Sequence, residues 1–199
     1  LVLTAGTGGT LVHAALIVQQ GSLSLNKNTQ ARVRLISSLS GAPSVSANLT
    51  GTSIASGLTL ASGTNQIGTL GPIKATGIKL TDSQALALSG LVHVGSSGTI
   101  DIATTAGGVT QATGGTVVAG TFTSGTSIAS GLTLASTANQ IGTLGPVKAT
   151  GIKLADSQGL TLAGAIDVGT GNLDLSTSSG SIVQAAGASI KAGTLLSSG

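Results

Sequence analysis

The stretch KATGIKL fills residues 74–80 and returns unchanged at residues 148–154. Its last three residues, Ile78, Lys79 and Leu80, set one charge between two large apolar side chains. Successive side chains of a β-strand point to opposite faces, so Ile78 and Leu80 turn inward and Lys79 turns out. Related apolar–x–apolar triplets recur at Leu58/Leu60, Ile73/Ala75, Leu86/Leu88, Val92/Val94, Ile100/Ile102 and Val117/Ala119, separated by Gly, Ser, Thr, Asn, Asp or Pro. Period-two alternation bounded by turn residues reads as many short strands. Frequent Gly and Thr weaken a helical reading further.

The charges test this independently. Ten of the thirteen charged residues stand between two aliphatic neighbours: Arg32, Arg34, Lys74, Lys79, Asp101, Lys148, Lys153, Asp167, Asp174 and Lys191. Each is therefore expected on an outward face. His13 and His93 also fall at outward positions. Lys27, Asp82 and Asp156 sit among polar residues and are expected in turns.

Working outward, residues 51–95 and 125–169 align without gaps at an offset of 74, with 35 of 45 positions identical. The shared blocks are GTSIASGLTLAS, NQIGTLGP, KATGIKL and DSQ. Past Gly95 the offset becomes 73, and GTIDIATTAGGVTQATGG (98–115) matches GNLDLSTSSGSIVQAAGA (171–188). Inward positions vary conservatively between copies, as Ile73 against Val147 and Val92 against Ile166. Outward ones change chemistry, as His93 against Asp167 and Ala87 against Thr161. Such variation is that of a scaffold.

Short strands joined by tight turns stack as coils about 4.8 Å apart. Coils of about 18–25 residues place three or four rungs in each 74-residue unit. The expected fold is all-β, a parallel β-helix (β-solenoid). Residues 1–50 are read as divergent rungs of a preceding unit, 51–124 as the first repeat unit and 125–199 as the second, in one solenoid rather than independent domains. The chain opens and closes in mid-pattern, as a piece of something longer would.

Composition excludes several classes. Charged residues are 7% of the chain, apolar ones 40%, and Phe122 is the sole aromatic, which argues against disorder. No apolar run approaches the roughly 20 residues of a membrane span. The densest, Leu11–Val18, includes His13. A net charge of +3 makes no basic patch, and with no aromatic ladder nucleic acid is not an expected partner. Absence of cysteine excludes disulfides and thiolate metal sites.

The segment GLTLAGAIDVGTGNLDLSTSSGSIVQAAGASIKAGTLLSSG (159–199), with KLADSQGLTL before it, resembles the repeats of filamentous-haemagglutinin-like secreted adhesins of the two-partner-secretion type. The resemblance spans about residues 51–199 and lies in GNLDL, SGSIVQ and ASIKAGTL punctuated by Gly. It implies a right-handed parallel β-helix, export across a Gram-negative outer membrane by a partner transporter, and a fibrous role in cell adhesion at the bacterial surface or outside the cell. The amino-terminal secretion domain of that family is not recognisable here.

Individual residues are weighed against this scaffold. Asn65-Gln66 and Asn139-Gln140 return only once in each repeat unit, so a local corner is favoured over a ladder or ligand site. Pro72 and Pro146 each follow Gly and begin a strand, where a missing N–H costs least. Lys74, Lys79 and Asp82 recur as Lys148, Lys153 and Asp156. Lys74, Lys79, Lys148 and Lys153 form a candidate surface-charge stripe that could attract acidic host-cell or matrix glycans. At about 14–19 Å between equivalent lysines, beyond the Debye length of about 8 Å, edge-protecting solvated charge is the favoured role.

Catalysis is not expected, and neither is a cofactor or metal site. No acid pair recurs, Asp167 faces His93 across the alignment, and the Trp and Tyr platforms of sugar subsites are absent. Gly-rich GTGGT (6–10) lacks the Lys and helix of a phosphate loop. A structural shaft in an extracellular fibre is therefore expected. Its partners are further β-helix rungs of the same longer chain or end-to-end stacked copies. The alternative is a polysaccharide-binding or polysaccharide-cleaving β-helix, in which Asp167 and Asp174 would act. An ice-binding solenoid is weaker still, since Thr121-Phe122-Thr123 is matched by Thr194-Leu195-Leu196.

Overall fold

The computed structural model describes residues 53–198. The expected rungs of residues 1–50, with GTGGT, His13, Lys27, Arg32 and Arg34, lie outside the described residues. Within them all eighteen elements are strands, and every strand pair is parallel. They form sheets of eight, seven and three strands, and neighbours within a sheet come from successive passes of the chain. The fold is a parallel β-solenoid.

Two columns of inward side chains follow its axis. In the eight-stranded sheet Leu58 pairs with Ile78, and the column continues through Ile100, Phe122, Leu144, Leu162 and Gln184, one coil at each step. In the seven-stranded sheet Leu86 leads to Val109, Leu132, Ile152, Leu173 and Leu195. GIKL alternates as read: Ile78 and Leu80 are buried and Lys79 is exposed. Each such Leu or Ile contributes about 1.5–3 kcal/mol on leaving water, and β-stacking satisfies the backbone between coils.

The two sequence copies do not lie one above the other. Leu58 opens the eight-stranded sheet, whereas its counterpart Leu132 belongs to the seven-stranded one. Leu70 and Leu144 are exchanged in the opposite sense. From Leu58 the chain makes three full coils to reach Phe122, and the rest of the unit crosses to the other sheet at Leu132. The repeat therefore advances three and a half coils.

The short side strand reflects the same shift. Ile73–Lys74 follows the seven-stranded sheet, while its counterpart Val147–Lys148 follows the eight-stranded one and builds the three-stranded sheet. Gly-Pro stands just before each. Gly90 and Gly164 pack over these prolines at φ 68° and 73°. A Cβ on either glycine would come 2.6 Å from the Pro72 or Pro146 Cγ, so glycine is required there both for its φ and for close approach.

Candidate functional site

Half-coil displacement decides where the four candidate lysines go. Lys74 and Lys79 lie in the eight-stranded sheet, Lys148 in the three-stranded sheet and Lys153 in the seven-stranded sheet. They share no single stripe. Each is flanked instead by a residue one coil on. Lys79 Nζ lies 2.8 Å from Asp101 Oδ2, while Asp101 Oδ1 accepts the Gly125 N–H at 2.6 Å.

The second copy repeats this arrangement: Lys153 Nζ lies 3.2 Å from Asp174 Oδ2, and Asp174 Oδ1 accepts the Ser198 N–H at 2.9 Å. The Ser198 hydroxyl also donates to Asp174. Lys148 is in register with Asp167, whose other neighbour, Lys191, is 3.9 Å away. Lys74 is in register with His93. Pairs whose lysine faces solvent add little stability, and the outward charge discourages lateral sheet association. Asp167 and Asp174 lie in different sheets and answer to different lysines, so they do not form an acid pair.

The polar groups that the repeat places inside are more telling. Asp82 and Asp156, expected in turns with the solvated charges, are 0% and 1% exposed. The reason is the alternation itself: Ile78, Leu80 and Asp82 share one face of the strand Ile78–Asp82. Asp82 Oδ2 accepts the Ile67 N–H at 2.7 Å and Oδ1 the Gln84 N–H at 3.0 Å. Asp156 does the same to Ile141 and Gln158, at 2.7 and 2.9 Å.

Beside each aspartate a buried asparagine faces the backbone. Asn65 Nδ2 donates to the Leu60 and Thr81 carbonyls, and Asn139 Nδ2 to those of Leu134 and Ala155. Ser83 and Ser157 donate their hydroxyls to the Asn65 and Asn139 carbonyls, both at 2.6 Å. The corner role expected of these asparagines thus has a definite form: a clamp between consecutive coils. Asn139 alone engages a third coil, through Gln111 and the Val117 N–H.

Burial pushes the Asp82 and Asp156 carboxyls above the usual 3.8, against the opposing pull of their backbone N–H donors. Asp174 is held below 3.8, chiefly by the Ser198 hydroxyl and N–H and less by Lys153. A raised folded pKa contributes stability that is full below 3.8 and lost as pH rises through the folded value. A lowered one contributes above 3.8 and is lost as pH falls through its own folded value. Urea midpoints should therefore increase as pH drops from 7 toward 4 and decrease below that. The Asp82→Asn, Asp156→Asn double variant should show a flatter profile above pH 4. A parallel wild-type and variant slope there would disprove the assignment.

One surface feature escaped the sequence pattern. Thr99, Thr121, Thr143 and Thr161 stack in four consecutive coils of the eight-stranded sheet. They come from different places in the repeat, so an alignment of the copies does not bring them together. The array is one threonine wide: two residues on stand Asp101, Thr123, Gly145 and Ala163. A flat two-column face, as ordered water on ice would need, is not what this column offers.

Among the described residues no group of three or more His, Cys, Asp or Glu is placed to hold a metal ion. Neither a family model, nor a curated protein, nor a solved structure matches this chain.

Proposed function

We propose that the chain is a structural shaft, without catalysis, in a secreted bacterial adhesin or cell-surface fibre. The resemblance to filamentous-haemagglutinin-like repeats supplies the surface location, the right-handed winding and the export route in this reading. The observation that carries the mechanical part is the fate of the invariant polar residues. Asn65, Asp82 and Ser83, and again Asn139, Asp156 and Ser157, are identical in the two copies, and all their side chains bond within or between coils. The outward lysines Lys74 and Lys79 are also kept, as Lys148 and Lys153, but the half-coil shift sends the two copies to different sheets and so builds no repeated surface. The kept polar groups that act alike in both copies are those that hold coil to coil, which favours length and stiffness over recognition.

The test is dimensional. Chains carrying one, two and three repeat units should appear by electron microscopy as rods of constant width. Their length should grow by about 17 Å per unit, three and a half coils at about 4.8 Å each. Antibody raised to the repeat should label intact cells that express the full-length protein. Globular particles, or labelling only after cell lysis, would sink the reading.

A further inference from the structure

We infer that the end of the solenoid formed by the last coil is a docking surface for the opening coil of a further repeat unit, with Gln184 reading that coil's asparagine. The inference deepens the shaft reading and rests on it. Strands Ile182–Gln184, Ser189–Lys191 and Thr194–Leu196 occupy the terminal places of all three sheets. Their edges are unpaired among the described residues. The inward residues Ile182, Ile190 and Leu195 are 38%, 37% and 66% exposed, in contrast to the closed core below.

What covers such a surface is written in the same molecule. At the offset of 73, Ile182, Ile190 and Leu195 are the counterparts of Val109, Val117 and Phe122. Those three residues are 0% exposed, because the opening coil of the second unit is seated on them. Val109 pairs with Leu132 of GLTL, and Phe122 with Leu144 of NQIGTL. Among the described residues the surface occurs twice, and one of the two is seen with its occupant. Since Ile182–Gln184 ends the eight-stranded sheet, the incoming GLTL returns to the sheet that holds Leu58, completing the half-coil alternation.

The polar contact at the occupied junction is specific. Gln111 and Asn139 form a reciprocal amide pair, with Gln111 Nε2 donating to Asn139 Oδ1 at 2.7 Å and Asn139 Nδ2 to Gln111 Oε1 at 3.2 Å. Gln111 Oε1 also accepts the Ser136 N–H, and Asn139 Oδ1 accepts the Val117 N–H. At the open end the equivalent Gln184 turns back to donate to the Ala188 carbonyl. Docking exchanges that local bond for the amide pair. An apolar coil without asparagine at this position denies the Ile190 N–H the acceptor that the equivalent Val117 N–H finds in Asn139 Oδ1, a penalty that selects the repeat's own opening coil.

The probe is a fluorescent peptide copying residues 126–145, titrated against the full chain by anisotropy. Saturable one-to-one binding is expected. Asn139→Leu in the peptide, or Gln184→Leu in the chain, should each weaken it about tenfold or more, and the two together little further. Leu195→Lys should abolish it with an unchanged far-UV spectrum, since the side chain is exposed. No saturable binding, or binding indifferent to these substitutions, would overturn the inference, as would a tail-to-tail dimer that excludes the peptide. Rod length reads coil geometry whether or not the peptide binds, so the two readings fail separately.

Discussion

Phe122→Ala should lower unfolding free energy by about 3–5 kcal/mol, the usual loss for a large buried aromatic. Phe122 is fully buried and packs in the inward column between Ile100 and Leu144. The next coils are held by its neighbours, and a solenoid has only nearest-neighbour coils to share the loss. The cavity cannot close by moving one coil without breaking the parallel ladder on both sides. The counterpart in the other copy gives the control. Leu195→Ala should change stability by less than about 1 kcal/mol, because Leu195 is 66% exposed. Urea denaturation followed by far-UV dichroism measures both; similar effects at the two positions would refute the assigned difference in packing.

Asn139→Leu should be comparably severe, about 3–5 kcal/mol, through a different cause. Its side chain donates to the Leu134 and Ala155 carbonyls and accepts the Val117 N–H at 2.9 Å, while pairing with Gln111. Leucine fits the volume and leaves these groups buried without partners, at about 1–3 kcal/mol for each donor or acceptor orphaned. Amide exchange at Val117 should accelerate well beyond the global effect. Protection at Val117 equal to that of its neighbours in the variant would argue that the amide clamp contributes nothing of its own.

Much of the fold was legible because one rule covers it. Alternation at Ile78, Lys79 and Leu80 assigns inside and outside, and the burial of Leu58 and Leu60 about an outward Thr59 follows the same rule. The same rule, continued to the end of the strand, also places Asp82 inside. Reading that aspartate as a turn residue gave its polarity more weight than its position, yet a carboxyl is accommodated inside where backbone N–H groups converge on it and offset part of the cost of burial. The corner role of Asn65 and Asn139 was legible in outline. That each clamps one carbonyl of its own coil and one of the next was not.

By itself the sequence determined the strand period, the inward and outward sets, the all-β class and the existence of stacked coils, because these depend on local alternation and on turn chemistry. Only the tertiary structure decided which residues meet across coils. Coil length is uneven: the coil from Leu70 to Leu88 is short and the one from Val92 to Val117 is long. It is set by how each turn closes, which no periodic pattern specifies. One repeat unit consequently lands three and a half coils on. That fraction separates the equal lysines and assembles a threonine column from unrelated positions, while the length of a single coil pairs Lys79 with Asp101 and Lys153 with Asp174 in each copy alike. KATGIKL reads the same in both copies; the turns between them send it to different sheets.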